Sequence, residues 1–248
     1  MHLLGSLSVA LGLTHSVNAH GWLKQVEVKG VTYLGFQVNA DKYTKPTPDR
    51  YIRQVLGNGP VPDFTTVNIT CGTGPNQPAK LSVPVNAGDS IKLTWDQGGP
   101  GHGGPIMNYL ADCGGSCQTF KGDTGSPWVK FNQMGYDKTQ NPPIWASHQL
   151  NKQNGSWTVT LPNIRPGEYL LRHELLGVHV ARNRLGAQFY PFCVHLKVGG
   201  SGTKTLPPGI ALPGAYDPDD TNGILVSEWK ITAGLVNYTA PGGPVIQI

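Results

Sequence analysis

Apolar and polar residues alternate at period two in several short runs of this chain. Leu81, Val83 and Val85 are followed by Ile91, Leu93 and Trp95 across Asn86-Ala-Gly-Asp89, a strand, turn, strand pattern. The alternation returns at Trp157, Val159 and Leu161, again at Phe192, Val194, Leu196 and Val198, and more loosely over 20–38. Successive side chains of a strand point to opposite faces of a sheet, so these aliphatics and aromatics are expected to form a core. Pro166-Gly167 opens another strand-like run through Arg172-His-Glu174. Between Asp112 and Gln149 the periodicity is weak, and short helical pieces are expected there. The polar stretch from after Val38 to about residue 65 reads as a long surface loop. Lys42, Lys45, Arg50 and Arg53 are expected to be its solvated basic groups.

Composition favours the same class. Gly (33) and Pro (21) are frequent while charged residues make up 14%, a balance suited to short strands joined by turns rather than to long helices. All-β is therefore expected, as one domain over 20–248. Ser201-Gly-Thr-Lys-Thr is polar but too short for an interdomain linker, and no appended carbohydrate-binding module is expected. A net charge of +4 is too small and dispersed to point to nucleic acid.

Residues 1–19 carry an apolar run, Leu3 to Leu13, and end in Val17-Asn18-Ala19, the pattern of a secretory leader with a small-residue cleavage site. The run is too short and interrupted to cross a hydrocarbon core of about 30 Å, so a secreted, extracellular protein without a membrane anchor is expected. Cleavage after Ala19 would make His20 the first residue. A terminal histidine offers its α-amine and its imidazole to one metal ion before any second residue joins.

Four cysteines in an exported chain suggest two disulfides, for which three pairings exist. Cys113-Gly-Gly-Ser-Cys117 permits a tight local bridge, leaving Cys71 for Cys193. The long loop so closed is worth roughly 4–5 kcal/mol in the chain-entropy model. A zinc site at Cys-x3-Cys is the rival, but no second nearby Cys/His pair supports it. Asn68-Ile-Thr, Asn154-Gly-Ser and Asn237-Tyr-Thr are candidate N-glycan acceptors.

The remaining chemistry lies with the histidines. His102 sits in Gly98-Gly-Pro-Gly-His-Gly-Gly-Pro105, a turn-forming loop directly after a strand. His173 and His179 sit in Arg172-His-Glu-Leu-Leu-Gly-Val-His179, with Gln188 and Tyr190 beyond. A zinc-protease reading of His173-Glu174 and His179 fails, because His-Glu-x-x-His needs an i, i+4 pair on a helix. Here the interval is six, on a strand-like run. His148 and His195 attract no functional role.

Taken together, His20-Gly21, the His102-Gly-Gly-Pro105 loop, Trp157-Thr-Val-Thr-Leu-Pro162, Pro166-Gly-Glu-Tyr-Leu-Leu-Arg-His-Glu174 and Gly186-Ala-Gln-Phe-Tyr-Pro-Phe-Cys193 resemble the fungal lytic polysaccharide monooxygenases of auxiliary-activity family nine, once filed as a glycoside hydrolase family. The likeness runs to the Asn237-Tyr-Thr-Ala-Pro-Gly-Gly-Pro244 tail. It implies an immunoglobulin- or fibronectin-like β-sandwich with long loops, short helices and a flat substrate-binding face.

It also implies one copper ion, held by the amine and ring of His20, by His102 and, axially, by Tyr190. Three nitrogens in a tetragonal arrangement suit copper, the tightest-binding divalent ion of its row. His179 and Gln188 match residues that position the oxygen species beside the metal. The implied substrate is cellulose or a related β-1,4-glucan, oxidised at C1 and/or C4 with oxygen or hydrogen peroxide and an external electron donor, by a monomer. Tyr43, Trp229 and Tyr216 are the candidates for stacking on sugar rings. His173 and Glu174 are expected to serve strand packing and hydrogen bonding. Val180 and Phe189 depart from the family's usual residues without removing a ligand.

Two other classes compete with this reading. A non-catalytic, secreted carbohydrate- or copper-binding sandwich would need only the aromatic face, and the joint presence of His20, His102, His179, Gln188 and Tyr190 argues against it. A hydrolase is more distant, because the acid and base carboxylates of a glycosidase cannot be identified.

Overall fold

In the computed structural model the described residues are 20–96 and 99–248. The expected leader, residues 1–19, lies outside them. Eleven strands, three short α-helices and one 3-10 turn of helix, Asp41–Tyr43, are present among the described residues. One antiparallel sheet contains β1 (Leu23–Val28), β2 (Val31–Leu34), β4 (Ser90–Trp95) and β9 (Ser156–Thr160) in the order β2-β1-β4-β9. A second contains β3 (Val83–Asn86), β5 (Ile106–Asp112), β6 (Val129–Met134), β10 (Gly167–Gly177) and β11 (Gln188–Gly199) in the order β3-β11-β10-β5-β6. Only the β3–β11 pairing is parallel among the pairings of these two sheets. The two-residue strands β7 (Tyr136–Asp137) and β8 (Ile144–Trp145) pair separately. The helices are α1 (Asn68–Cys71), α2 (Ala146–Lys152) and α3 (Glu228–Thr232).

The period-two residues form the core between the sheets. Val26, Ile91, Leu93, Trp95 and Val159 from the first sheet meet Leu171, Leu175, Tyr190, Phe192, Val194 and Leu196 from the second. The strand, turn, strand pattern over 81–95 is present, but β3 and β4 do not form a hairpin. The Asn86–Asp89 turn carries the chain from one sheet to the other, with Asp89 Oδ2 accepting the Asn86 amide at 2.8 Å.

Strand β10 is buried on both faces, because loops and α1 cover the outer side of its sheet. That covering explains its polar residues. Arg172 and Glu174 are fully buried and face each other at 2.8 and 2.5 Å, and the guanidinium also donates to the carbonyls of Thr70 (2.8 Å) and Ile69 (2.7 Å). An ion pair so enclosed is tolerated only when its remaining donors and acceptors are matched. On the opposite face, His173 Nδ1 bonds Asn108 Oδ1 at 2.7 Å while Nε2 accepts the Trp95 indole N–H at 2.9 Å. The expected packing and hydrogen-bonding roles of His173 and Glu174 are thus met.

Both expected disulfides form, Cys71–Cys193 between α1 and β11 and Cys113–Cys117 within one loop. The 39–65 stretch is less solvated than its composition suggests. Arg53, expected in solvent, is 1% exposed and donates to the Phe120 carbonyl (2.5 Å), the Lys121 carbonyl (2.8 Å), Asn76 Oδ1 (2.8 Å) and His195 Nε2 (3.1 Å). Arg50 is neutralised by Asp41 at 2.7 Å. The helical content expected between Asp112 and Gln149 is confined to the start of α2, and the remainder holds the short strands β6 to β8 between turns and loops.

Candidate metal centre and substrate face

Four segments far apart in the chain meet at one end of the sandwich. His20 is exposed just before β1, and its ring Cδ2 lies 3.7 Å from where a side chain on Gly59 would begin. The Gly21 amide donates to Asn58 O at 3.0 Å, and the Val61 amide donates to Phe189 O at 2.8 Å. The 58–61 loop therefore ties the neighbourhood of His20 to the start of β11, where Gln188 and Tyr190 stand.

His102 is set by the loop that enters β5. The Val178 amide donates to Gly103 O at 2.9 Å, the Ser147 amide to Gly104 O at 3.2 Å and the Leu176 amide to Pro105 O at 3.1 Å. These bonds bring the His102 ring onto His179, centroids 3.6 Å apart and planes inclined by 16°. Gly177 makes room beneath. A side chain there would begin 3.2 Å from His102 Cβ, 3.5 Å from His179 Nδ1 and 3.6 Å from Gln188 Cβ.

His179 Nδ1 is buried without a hydrogen-bond partner. Desolvation, and then the charge of nearby His20, hold its pKa below the usual histidine range, so the ring is neutral at pH 7. Tyr190 is 1% exposed, and burial pushes its phenol up, so it stays protonated. Its hydroxyl donates to Gln188 Oε1 at 2.9 Å. That bond orients the amide and leaves the Gln188 NH2 group as the donor still to be used.

Among the described residues no group of three or more His, Cys, Asp or Glu side chains is disposed to hold a metal ion. The donor set expected here requires only two imidazoles, with the third nitrogen coming from the main chain of His20. Neutral nitrogen donors beside a buried phenol suit copper, and offer little to a hard oxygen-seeking cation.

The aromatic candidates divide. Tyr43 (75% exposed) and Trp229 (66%) stand in solvent, so neither is a core residue. Tyr216, expected to stack on sugar, is instead 4% exposed. Its hydroxyl donates to Glu174 Oε2 and meets that of Tyr109 at 2.9 Å, while its ring stacks on Phe189 at 4.7 Å. The buried Arg172–Glu174 pair needs that hydroxyl to complete its bonding, which draws Tyr216 inward. Of the glycan candidates, Asn154 and Asn237 are exposed, whereas Asn68 is partly covered and its Thr70 hydroxyl donates to Leu212 O at 2.8 Å.

Sequence reasoning missed Gly177 and Glu228. Glu228 opens α3, immediately before Trp229, and packs against Gly103. Gly177 lies within the 172–179 run, but its role shows only when His102 and Gln188 pack beside it, and Glu228 acts through Gly103, far away in sequence.

Residues 20–238 match the model of Auxiliary Activity family 9, formerly GH61. The AA9 family lytic polysaccharide monooxygenase A of Geotrichum candidum is 42% identical over 227 residues, which cover 90% of this chain and 75% of the relative. Monooxygenase C of the same organism is 41% identical over 239 residues, 95% of this chain, but the chain spans only 43% of that relative's length. Among solved structures, the extended catalytic domain of H. jecorina LPMO9A aligns with a TM-score of 0.82 at 33% identity, covering 92% of this chain and 91% of that one.

Proposed function

The chain belongs to Auxiliary Activity family 9, and from that membership and the site's geometry we propose that it is a secreted copper-dependent monooxygenase that cleaves β-1,4-glucan, cellulose first, by oxidation at C1 and/or C4. The observation that carries the reading is the convergence of His20, His102, His179, Gln188 and Tyr190, from four separate segments; Tyr43 and Trp229 are the exposed aromatics that would meet the sugar rings.

In this reading the leader 1–19 is removed and residues 20–248 act as one catalytic domain. His20, through its freed amine and its ring, and His102 would hold copper, with the Tyr190 phenol as a further neighbour. When bound, copper supplies one-electron chemistry between an external reductant and oxygen or peroxide. The chain does the rest. Neutral His179 is ready to accept a proton, and the Gln188 amide donates a hydrogen bond to the oxygen co-substrate. Tyr43 and Trp229 present flat apolar faces to the sugar rings and set which carbon lies over the centre. Hydroxylation of C1 or C4 destabilises the adjoining glycosidic bond, which breaks without the paired acid and base carboxylates of a hydrolase.

Copper titration of the chain beginning at His20, against the same chain with one alanine placed before it, tests the donor set. The first is expected to take up one ion tightly. The second should bind weaker by about a hundredfold or more, because one arm of the chelate is lost. Equal uptake by both would remove the terminal amine from the site.

A further inference from the structure

We propose that Glu228 is a positioning residue for His102, and that α3 transmits the seating of a polysaccharide chain on Trp229 to that histidine. The inference rests on the copper and polysaccharide reading above.

A side chain on Gly103 would begin 2.0 Å from Glu228 Oε1, 2.7 Å from Trp145 Cδ1 and 3.0 Å from Trp145 Nε1. The carboxylate is therefore in contact with the backbone bonded directly to His102, and position 103 has room for glycine alone. The other sides of the loop are held by backbone hydrogen bonds from Leu176, Ser147 and Val178. Towards α3, the packing group is Glu228.

The surroundings of the carboxylate are polar and only partly satisfied. Trp145 is 1% exposed and its indole N–H has no acceptor, although it flanks the same spot on Gly103 as the carboxylate does. Ser147, fully buried on the next turn of chain, has an unpartnered hydroxyl. His148, on α2, is the charged or titratable group that acts on Glu228 electrostatically. A half-buried carboxylate lying this near an unused donor gains a hydrogen bond by a small shift towards Trp145. Such a shift changes its pressure on Gly103.

Trp229 is the next residue of the same five-residue helix, and is 66% exposed. Glu228 and Trp229 are thus neighbours on one helix, one side chain against the His102 loop and the other in solvent. A chain stacked on Trp229 cannot displace α3 without displacing the carboxylate.

The test uses the mature chain loaded with Cu(II), whose electron paramagnetic resonance spectrum reports ligand geometry, with and without cellulose. Binding isotherms of the metal-free protein on cellulose run in parallel. Glu228→Ala is expected to bind cellulose within twofold of wild type, yet to show an altered resting spectrum and to lose at least half of the cellulose-induced spectral change. Glu228→Gln, which keeps size and hydrogen bonding, should restore the resting spectrum, whereas Glu228→Asp, which keeps the charge but withdraws the carboxylate from Gly103, should show the altered spectrum and covers the case in which the alanine variant folds poorly. A wild-type spectrum in the folded alanine or aspartate variant, with the cellulose response intact, would overturn the proposal. So would a wild-type spectrum that bound cellulose leaves unaltered. A mature wild-type chain that takes up no copper would instead overturn the functional reading beneath it.

Discussion

The His102 and His179 rings lie face to face, 3.6 Å apart at their centroids, above a glycine that leaves no side chain between them. Their contact joins the loop before β5 to the turn after β10. The second ring therefore has a fixed place beside the proposed copper ligand His102, and its Nδ1 is spent on no other partner.

Replacing His179 with alanine should lower oxidative turnover on polysaccharide roughly 10–100-fold, the usual cost of losing a residue that supports a metal site. Thermal stability without metal should change little, since the ring is partly exposed. Turnover and thermal unfolding measured on the same preparation check this. Full turnover by the alanine variant would show that His179 handles neither protons nor the co-substrate.

Two buried histidines make stability depend on pH. His173 is held down to a pKa of about 3 by desolvation, and His195 to about 3 by desolvation and the Arg53 charge. The unfolded chain takes up a proton on each below about pH 6.5, while the folded chain does not until about pH 3. Stability contributed by their neutral forms is therefore complete above pH 6.5 and falls as the pH drops, with a limiting slope of about 1.4 kcal/mol per unit for each histidine. Urea midpoints at pH 7.5, 5.5 and 4.5 should decline in that order, ahead of most carboxylate titration. Constant midpoints would mean that the folded protein protonates both rings.

The two disulfides should differ in worth. Cys71–Cys193 spans 122 positions and Cys113–Cys117 only 4, so loop-closure entropy assigns about 5 kcal/mol to the first and about 2 kcal/mol to the second. Guanidinium unfolding of the paired alanine variants reads the difference directly. A larger loss from the short bridge would reverse the expected order.

Aromatic exposure separates Trp229 from Tyr216. Trp229→Ala should weaken retention on insoluble cellulose about 3–10-fold, as loss of one stacking contact implies, and leave stability near wild type. Tyr216→Phe should do the opposite, leaving retention unchanged while costing about 1–3 kcal/mol for the buried hydrogen bonds lost to Glu174 and Tyr109. Pull-down isotherms and chemical unfolding on both variants decide it. Lost retention in the phenylalanine variant would return Tyr216 to the sugar face.

The core strands were legible where aliphatic and aromatic residues recur at period two, as at Ile91, Leu93 and Trp95 and from Phe192 to Val198. Strand β5 was not, because Ile106 to Ala111 is buried on both faces and shows no alternation. The burial of Arg53 and Tyr216 was equally hidden, since it depends on His195 and Glu174, each distant in sequence. The site residues were recognised through ordered motifs that resemble a family, not through periodicity. Glu228 escaped because its contact with Gly103 exists only once α3 is folded against the His102 loop.

The most direct measurement is mass spectrometry of the oligosaccharides released from phosphoric-acid-swollen cellulose by the copper-loaded mature chain, with and without ascorbate. Oxidised oligosaccharides that appear only with ascorbate, and disappear when copper is chelated, are expected, and their masses assign C1 or C4. Unoxidised fragments that form without ascorbate and persist under chelation would contradict oxidative cleavage, and the absence of any product from cellulose or hemicelluloses would favour a binding protein.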